Sequence, residues 1–115
     1  MRFKLLIAFV DNALTDTVLT ASRKSGATGA TVITNAKGQG LEPIKGFFGL
    51  EIMAQREIVM VLVESRRAES VLEAIRVAGK MDDSLDTGIA LMLDVDQAVG
   101  LKEHIKTLEQ NLPPE

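Results

Sequence analysis

Cysteine, tryptophan and tyrosine are all missing from this sequence of 115 residues, in which aromatic side chains make up only 3% and histidine occurs once. Without cysteine, disulfides and thiolate metal sites are excluded, and a cytoplasmic location is the default expectation. A cysteine nucleophile is impossible, and a serine nucleophile would have a single histidine as its base. We therefore expect no enzyme activity.

Long apolar runs and an excess of positive charge are also missing. No apolar run reaches the ~18 residues that a membrane-spanning helix needs, and the N-terminal run lacks the length and cleavage site of a signal peptide. The 13 lysines and arginines are outnumbered by 16 aspartates and glutamates. This balance argues against nucleic acid as a partner, because binding to phosphate backbones requires clustered cations. We expect no direct membrane insertion either.

What is present is the composition of one globular domain. Hydrophobic residues make up 46% of the chain and charged residues 25%, which lies close to the averages for folded proteins. A chain of this length can bury one core but is too short for two. We expect a single domain over residues 1–115, with aliphatic side chains and the five methionines filling its interior.

Apolar and β-branched runs predict four strands, at residues 3–10, 28–34, 51–63 and 89–93. A helix is predicted after the first strand, with Asp11 or Asn12 as its cap and Gly26 at its stop. A second helix is predicted after the third strand, with Ser65 as its cap and Gly79 just past its end. The charged residues near its start are interpreted as surface charge, and these are Glu64, Arg66 and Arg67.

The C-terminal part predicts a further helix. Asp94, with Gln97 three residues later, has the pattern of a capping box. Beyond it an apolar stripe follows helical spacing, at Leu101, Ile105 and Leu108. His104 lies at the edge of this stripe, and we expect it at a surface position because no second histidine or cysteine could complete a metal site.

The predicted order of strand, helix, strand, strand, helix and strand is the split βαβ pattern of an α+β, ferredoxin-like βαββαβ fold with a C-terminal helical appendage. Both faces of the first and third strands are apolar. Helices can cover only one face of such a sheet, and a large exposed apolar face is rare on soluble monomers. We therefore expect a closed homo-oligomer whose subunits pack through their sheets.

The segment 36–50 is longer than the usual connection between strands, and it holds four of the nine glycines. Phe47 and Phe48 are unusual in a passive tether. They either form a contact for a partner protein or pack into the protein's own subunit interface. Lys37, Lys45 and Arg56 either line an anion site or are scattered surface charges.

Several short motifs, in order, resemble the PII signal-transduction (nitrogen regulatory) family from Met1 to about Lys102. GATGATV follows the first helix, KGQG is similar to the Gly-x-Gly that opens the family's T-loop, and AGK is similar to the start of its B-loop. EIVMVLVESRRAESVLEAI resembles the family's third strand and second helix, and LDVDQAVGLK resembles the end of its domain. The matching loops here are a T-loop-like segment 36–50 and a B-loop-like segment 79–88.

The resemblance implies a cytoplasmic homotrimer that binds an adenine nucleotide (ATP, ADP or AMP) in the clefts between subunits, without any covalent cofactor and with Mg²⁺ as an optional companion. The effector would switch the T-loop, which controls a target protein such as a membrane transporter. The partner-binding residues would be Lys37, Lys45, Phe47 and Phe48. The positions that the resemblance assigns to the effector are Thr31, Gly38, Gly40, Arg56, Gly79, Lys80, Gly88 and Lys102.

The resemblance also implies a role for each of these positions. Thr31 would lie near the adenine or ribose, and Gly38 and Gly40 would open the T-loop. Arg56 stands where a phosphate-side lysine is usual, and Lys102 matches the second of two arginines that contact phosphate. Gly79 and Lys80 would begin the B-loop, and Gly88 would be the later glycine of that loop.

The sequence departs from the family pattern where phosphate would bind. Ile89 replaces a lysine and Gly100 replaces the first arginine, so two cationic groups are lost. The B-loop is longer and gains carboxylates at Asp82, Asp83 and Asp86, which would repel phosphates unless a divalent cation intervened. With no tyrosine in the chain, the family's tyrosine uridylylation cannot occur.

Two other functions stay open on the sequence alone. One is a trimeric divalent-metal-binding or metal-tolerance protein of the same architecture. The other is a small enzyme that uses the acidic loop with a metal. The spacing of the three aspartates does not match an EF-hand loop, and a solvated acidic loop is the simpler interpretation.

Overall fold

The computed structural model describes residues 1–38, 44–45, 51–52, 54–83 and 88–111. A short 3₁₀ turn, Asn12–Leu14, joins the first strand to the first helix. The elements in chain order are β1 (Phe3–Asp11), α1 (Thr15–Lys24), β2 (Thr31–Gly38), β3 (Ile44–Lys45), β4 (Glu51–Ile52), β5 (Ala54–Glu64), α2 (Ser65–Ala78), β6 (Gly88–Asp94) and α3 (Lys102–Asn111).

The four long strands form one antiparallel sheet in the order β2-β5-β1-β6. The first and third strands of the predicted pattern are therefore the two central ones, and α1 and α2 pack together over one face of the sheet. The α+β, ferredoxin-like fold with a C-terminal helix is confirmed. β3 and β4 form a separate two-stranded ladder, in which Ile44 pairs with Ile52.

The core lies between the sheet and the two helices. On β1 and β5, alternate residues point to this side and are fully buried, as Leu6, Val10, Val59 and Val61 illustrate. α2 contributes a buried stripe at helical spacing, with Ala68, Val71 and Ile75. Alternation with period two on the strands and about 3.6 on the helix is what brings these two apolar surfaces together.

The opposite face of the sheet is also apolar and is partly exposed. Phe9 lies between Ile58 and Ile89 across the central ladder, and Ile7 lies between Met60 and Leu91. Among these side chains, Ile89 is 62% and Leu91 46% exposed. We call this surface the open face, and its composition agrees with the expectation that both strand faces are apolar.

The predicted cap of the second helix differs from the structure. α2 is capped by Glu64, whose side chain accepts hydrogen bonds from the Arg66 backbone N–H at 3.1 Å and from Arg66 Nε at 2.9 Å. The prediction of Ser65 as the cap is therefore wrong, and so is the interpretation of Glu64 as surface charge, since this residue is only 3% exposed. Before the first helix, Asp11 caps the 3₁₀ turn Asn12–Leu14, where it accepts a hydrogen bond from the Ala13 N–H at 2.8 Å. The N-cap of α1 itself is Leu14, which makes no capping hydrogen bond through its side chain.

The prediction of a capping box at Asp94 and Gln97 is also wrong. Asp94 remains in β6, paired with Lys4 in the ladder. The last helix begins after Gly100, and its first i to i+4 bond runs from the Ile105 N–H to the Leu101 carbonyl at 2.8 Å. The local capping signal fails because residues 95–100, which follow Asp94, form no helix for its side chain to cap.

The segment 36–50 is not loop throughout. Its first residues continue β2, because Ala36 pairs with Arg56 and Gly38 pairs with Ala54. The ladder contains an irregularity between Ile33 and Ala36, where Asn35 adopts a left-handed backbone with φ of 63°. A glycine-rich sequence gives no strand signal, and pairing with β5 decides its conformation.

Candidate functional site

Several predicted positions meet at one end of the sheet, where β1 and β2 end and β5 and β6 begin. We call this end of the sheet the loop edge. β2 ends and β5 begins there, at Gly38 and Arg56, and Asp11 at the end of β1 pairs with Arg56. Gly88 begins β6 at the same edge, opposite Val10. The fold thus brings together the base of the T-loop-like segment and the last glycine of the B-loop-like segment.

Arg56 is held in a partly buried ionic environment at the loop edge. Its side chain is 15% exposed, and its Nη1 lies 3.8 Å from Asp11 Oδ2. The neighbouring Glu57 accepts a hydrogen bond of 2.6 Å from the Thr15 hydroxyl, which ties β5 to the start of α1. Arg56 is therefore positioned by its neighbours rather than extended freely into solvent.

Lys80 lies in a turn that follows α2. The Met81 N–H donates to the Arg76 carbonyl at 3.0 Å and the Lys80 N–H donates to the Val77 carbonyl at 3.2 Å, which is the bond pattern of a Schellman motif. Lys80 occupies the left-handed position of this motif, with φ of 55°, although glycine is the usual residue there. Gly79 is the C-cap residue, which confirms the prediction that it lies just past the end of this helix.

Gly88 is required by close packing at the loop edge. Its φ is 142°, and a Cβ at this position would lie 2.7 Å from the Phe9 carbonyl oxygen. The same Cβ would also be 3.4 Å from Met81 Cε. The buried Met81 side chain therefore places the Gly79–Lys80 turn directly beside Gly88.

The acidic residues of the B-loop-like segment have a cationic neighbour. Arg76, near the end of α2, binds Glu73 with N–O distances of 2.6 and 2.9 Å. The pKa of Arg76 is raised, first by Glu73 and further by Asp82 and Asp83, while the pKa of Glu73 is lowered by Arg76. Among the described residues, no group of three or more histidines and carboxylates is arranged to hold a metal ion.

A second feature lies on the open face, between the start of β2, β5 and the residues that lead into α3. It is a groove of about 170 Å³, and it contains Thr31. Its apolar wall comes from β5, and hydroxyl and imidazole groups surround it. The groove is lined by Thr28, Gly29, Ala30, Thr31, Met60, Leu62, Leu101 and His104.

His104 closes one side of this groove. Its Nε2 is 3.0 Å from the Thr28 hydroxyl, and its ring centroid is 6.3 Å from that of Phe3 at an interplanar angle of 46°. His104 lies on a helix, as expected, but it is half-buried rather than fully exposed. Reasoning from sequence missed the groove, although Leu101 and His104 at i and i+3 place both side chains on one helical face.

The groove and the loop edge are separate within one chain. Thr31 pairs with Met60, whereas Ala36 pairs with Arg56. Along β5, Met60 and Arg56 are four residues apart, which corresponds to about 13 Å at the usual rise per residue. Lys102, the first residue of α3, follows Leu101 of the groove. One subunit therefore holds Thr31 and Lys102 at one place and Arg56, Lys80 and Gly88 at another.

Several predicted positions cannot be assigned a contact. Gly40, Phe47, Phe48 and Asp86 lie outside the described residues. For Lys37 and Lys45, only the strand pairing of the backbone is described. Lys37 pairs with Gln55 and Lys45 pairs with Glu51.

Comparison with known families identifies the domain. A family model described as nitrogen regulatory protein P-II matches residues 3–104, which is most of the chain and includes every element from β1 to β6. The chain belongs to the P-II family. P-II proteins are signalling regulators rather than enzymes, which confirms the expectation that the chain is not an enzyme.

The P-II fold is also supported by a solved structure. CPII, a nitrogen regulatory PII-like protein from Thiomonas intermedia K12, is 18% identical, and the alignment covers 83% of this chain and 91% of CPII with a TM-score of 0.60. At this identity the likeness shows a shared fold. The CPII structure contains ADP, AMP and bicarbonate. A search of curated proteins finds no significant match.

The P-II domain described here carries no helix that could cross a membrane among its described residues. The match to the family ends at His104, so most of α3 lies beyond the part that the family model covers.

Proposed function

We propose that this P-II protein is a cytoplasmic signalling regulator that binds an adenine nucleotide between subunits and uses the segment 36–50 to control a target protein. The observation that carries the proposal is the groove at Thr31. Met60 and Leu62 give it an apolar wall, while Thr28 and Thr31 add hydroxyl groups. An apolar slot with a few polar groups at its rim suits a purine base, which is flat and bears hydrogen-bonding edges.

The phosphate groups would be bound by cations from two subunits. Within one chain, Lys102 lies beside the groove, whereas Arg56 and Lys80 lie at the loop edge about 13 Å away along the strand direction. A homotrimer that packs through the open faces would bring a loop edge of one subunit toward a groove of the next. The apolar open face supports such packing, because it would otherwise expose Ile89 and Leu91 to water.

The regulatory step would be a change in the segment 36–50. Gly38, at the end of β2, and Gly40 would allow the backbone to approach the phosphates. A nucleotide can shift this segment only if it binds one of its conformations more tightly than another. Lys37, Lys45, Phe47 and Phe48 would then contact the target, for which a membrane transporter is our candidate.

The direct test is calorimetric titration of the purified protein with ATP, ADP, AMP, cyclic nucleotides and 2-oxoglutarate, each with and without Mg²⁺. We expect saturable binding of at least one adenine nucleotide, and an effect of Mg²⁺ on ATP because Asp82 and Asp83 would otherwise repel the triphosphate. If no nucleotide binds and a divalent metal alone stabilises the protein, the regulator proposal should be abandoned for the metal-binding alternative.

A variant pair tests where the phosphates bind. Lys102→Gln should weaken ATP binding about tenfold or more, since a hydrogen bond to a charged group contributes about 1.5–3 kcal/mol. The loss should be smaller for AMP, which carries less charge. Lys106→Gln is the matched control, because Lys106 is one helical turn away, is exposed and pairs with Glu103. Equal losses for both variants would show a general charge effect and contradict the assignment of Lys102.

A further inference from the structure

Five cationic side chains lie at the end of the domain opposite the loop edge. β1 begins and β5 ends at this end of the sheet. The last turn of α1 and the first turn of α2 lie beside it, and both turns carry positive charge. We call this cluster the basic end, and it consists of Arg2, Arg23, Lys24, Arg66 and Arg67.

Contacts between the two helix ends and the N-terminal residues hold the basic end together. The Arg2 carbonyl accepts a hydrogen bond of 2.8 Å from the Ser65 N–H, so Arg2 lies beside the start of α2. At the end of α1, the Gly26 N–H donates to the Arg23 carbonyl at 3.2 Å. A Cβ on Gly26 would lie 2.9 Å from Cδ of Arg67. The Arg67 side chain therefore packs against the turn that ends α1.

Most of this positive charge is not neutralised within the described part of the chain. Arg66 binds the buried Glu64 carboxylate, with Nε 2.9 Å from Oε1. The other four cations take part in none of the ion pairs among the described residues. Asp16, on the exposed side of α1, precedes Lys24 by two helical turns, which is about 12 Å along the axis. Four cations are therefore available to an anionic partner.

The cluster stands out because the chain as a whole is acidic. The net charge is −3, so without these five positive charges the rest of the chain would carry −8. Charge of one sign gathered at one end of a molecule steers partners of opposite charge toward that end. The two helices lie on the side of the sheet away from the open face, so packing of subunits through the open face would leave the basic end accessible.

The composition of the basic end favours carboxylates over a lipid surface. Four of its five residues are arginines, whose planar guanidinium groups bind carboxylates through two parallel hydrogen bonds. The exposed residues of α1 supply no apolar side chain that could enter lipid, as helices bound at a membrane surface do. These exposed residues are Asp16, Thr17, Thr20, Arg23 and Lys24.

We propose that the basic end is a second docking surface, which binds an acidic segment of a protein partner. The arginines bind aspartate and glutamate side chains of that segment, and Lys24 adds a further positive charge at its border. This surface is distinct from the segment 36–50, which lies at the loop edge. The inference does not depend on nucleotide binding.

Fluorescence anisotropy with a labelled oligoglutamate peptide tests the docking surface, with the full chain and with oligoglutamine of the same length as the matched probe. We expect saturable binding of oligoglutamate and none of oligoglutamine. Binding should weaken as the ionic strength rises from about 0.01 M to about 0.15 M, because the Debye length falls from about 30 Å to about 8 Å.

A double variant, Arg23→Gln with Lys24→Gln, should weaken oligoglutamate binding about fivefold, since an exposed ion pair contributes roughly 1.4-fold to 5-fold in affinity. Arg67→Gln, on the other helix, should also weaken it, which fraying of α1 alone would not explain. Far-UV circular dichroism verifies that each variant is folded.

The matched control is Arg76→Gln with Lys106→Gln. It removes the same total charge from two residues that already pair with Glu73 and Glu103, and it should leave the affinity for oligoglutamate unchanged. Equal losses in the two double variants would show a general charge effect and overturn the docking surface.

Three further outcomes would overturn the proposal. The first is unchanged oligoglutamate binding in both variants of the basic end. The second is tighter binding to phosphatidylserine vesicles or duplex DNA than to oligoglutamate, lost in the same variants, which would identify a different partner. The third is an equal loss of ADP affinity in these variants, which would assign the basic end to the nucleotide site. Loss of oligoglutamate binding with unchanged ADP affinity supports the proposal.

Discussion

At the scale of single residues, Lys80 illustrates a conflict between stability and function. A non-glycine residue in the left-handed region costs about 1–2 kcal/mol relative to the right-handed region, and backbone strain of this kind is concentrated at functional sites. Lys80 carries this strain at the position that would start the B-loop, beside Gly88. Our explanation is that the cation is retained there for an anionic ligand.

Lys80→Gly should therefore stabilise the fold and weaken nucleotide binding. We expect a gain of about 0.5–1 kcal/mol in the free energy of unfolding, because the relief of strain exceeds the greater chain entropy of unfolded glycine. Urea denaturation measures the stability, and calorimetric titration with ATP measures the binding.

Lys80→Ala is the control for this prediction, because it removes the charge and keeps the left-handed strain. Its stability should stay close to that of the original protein, and its loss of ATP affinity should equal that of Lys80→Gly. If Lys80→Gly lowers the free energy of unfolding, then the left-handed conformation is not a source of strain and the explanation fails.

Glu64 is a second case at this scale. From the sequence it is one charge in a cluster near the start of the second predicted helix, but in the fold it is 3% exposed and caps that helix. Glutamate is not among the preferred capping residues. The contact from Arg66 Nε at 2.9 Å neutralises the buried carboxylate, which explains why a charged residue is tolerated at this position.

At the scale of elements, β6 is an edge strand that is joined to β1 by its ladder and by an ion pair between Lys4 and Asp94. Hydrogen bonding and attraction from the Lys4 ammonium group lower the pKa of Asp94 below its ordinary value of 3.8. A carboxyl group whose pKa is lower in the folded state than in the unfolded state stabilises the fold only while it is ionised.

The contribution of Asp94 should therefore depend on pH in a defined direction. Above pH 3.8 the stabilisation is fully present, and it is lost as the pH falls through the lowered pKa of the folded state. We expect Asp94→Asn to be less stable than the original protein at neutral pH, with the difference disappearing in acid. Urea midpoints measured from pH 7 down to about pH 2 test this directly.

Asp96→Asn removes the same charge from the exposed turn that follows β6, and it serves as the control. Its difference from the original protein should stay nearly constant across the pH range. A difference for Asp94→Asn that is also constant would show that the ion pair does not contribute to folding.

At the scale of the whole molecule, the open face is an apolar surface that a single subunit leaves partly exposed to water. Ile33, Ile89, Leu91 and Leu93 are all more than 40% exposed on or beside it. The helices cover the other side of the sheet, and α3 reaches only the end near Thr28 and Phe3. Packing between subunits would bury this surface, as proposed for the trimer.

Leu91→Lys should dissociate the oligomer. The substitution places a charge on the open face, and burying an unpaired charge costs several kcal/mol. Light scattering at micromolar concentration should give a mass near three times 12.4 kDa for the original protein and near the mass of one chain for the variant.

Val77→Lys is the matched control, because Val77 is 61% exposed but lies on α2, on the other side of the sheet. This variant should keep the mass of the original protein. A monomeric original protein, or an oligomer that survives Leu91→Lys, would contradict packing through the open face.

The family fold follows from local patterns in the sequence. Alternation on β1 and β5 and the apolar stripe of α2 define which faces are buried, and these signals act over a few residues. The resemblance to the family, rather than these patterns, singled out Gly38, Arg56 and Gly88, and the fold brings all three to the loop edge. A resemblance between ordered motifs was enough to identify the P-II family.

Other features were decided only by contacts between distant residues. His104 contacts Phe3 and Thr28 across the sheet, and Asp94 stays in the ladder opposite Lys4 instead of capping a helix. Glu64 is buried at the junction of β5 and α2, where it accepts hydrogen bonds from Arg66. The sequence by itself determined the order and type of the four long strands and the helices. Tertiary structure decided the caps, the pairing within the segment 36–50 and the groove, because these depend on residues that local patterns cannot relate.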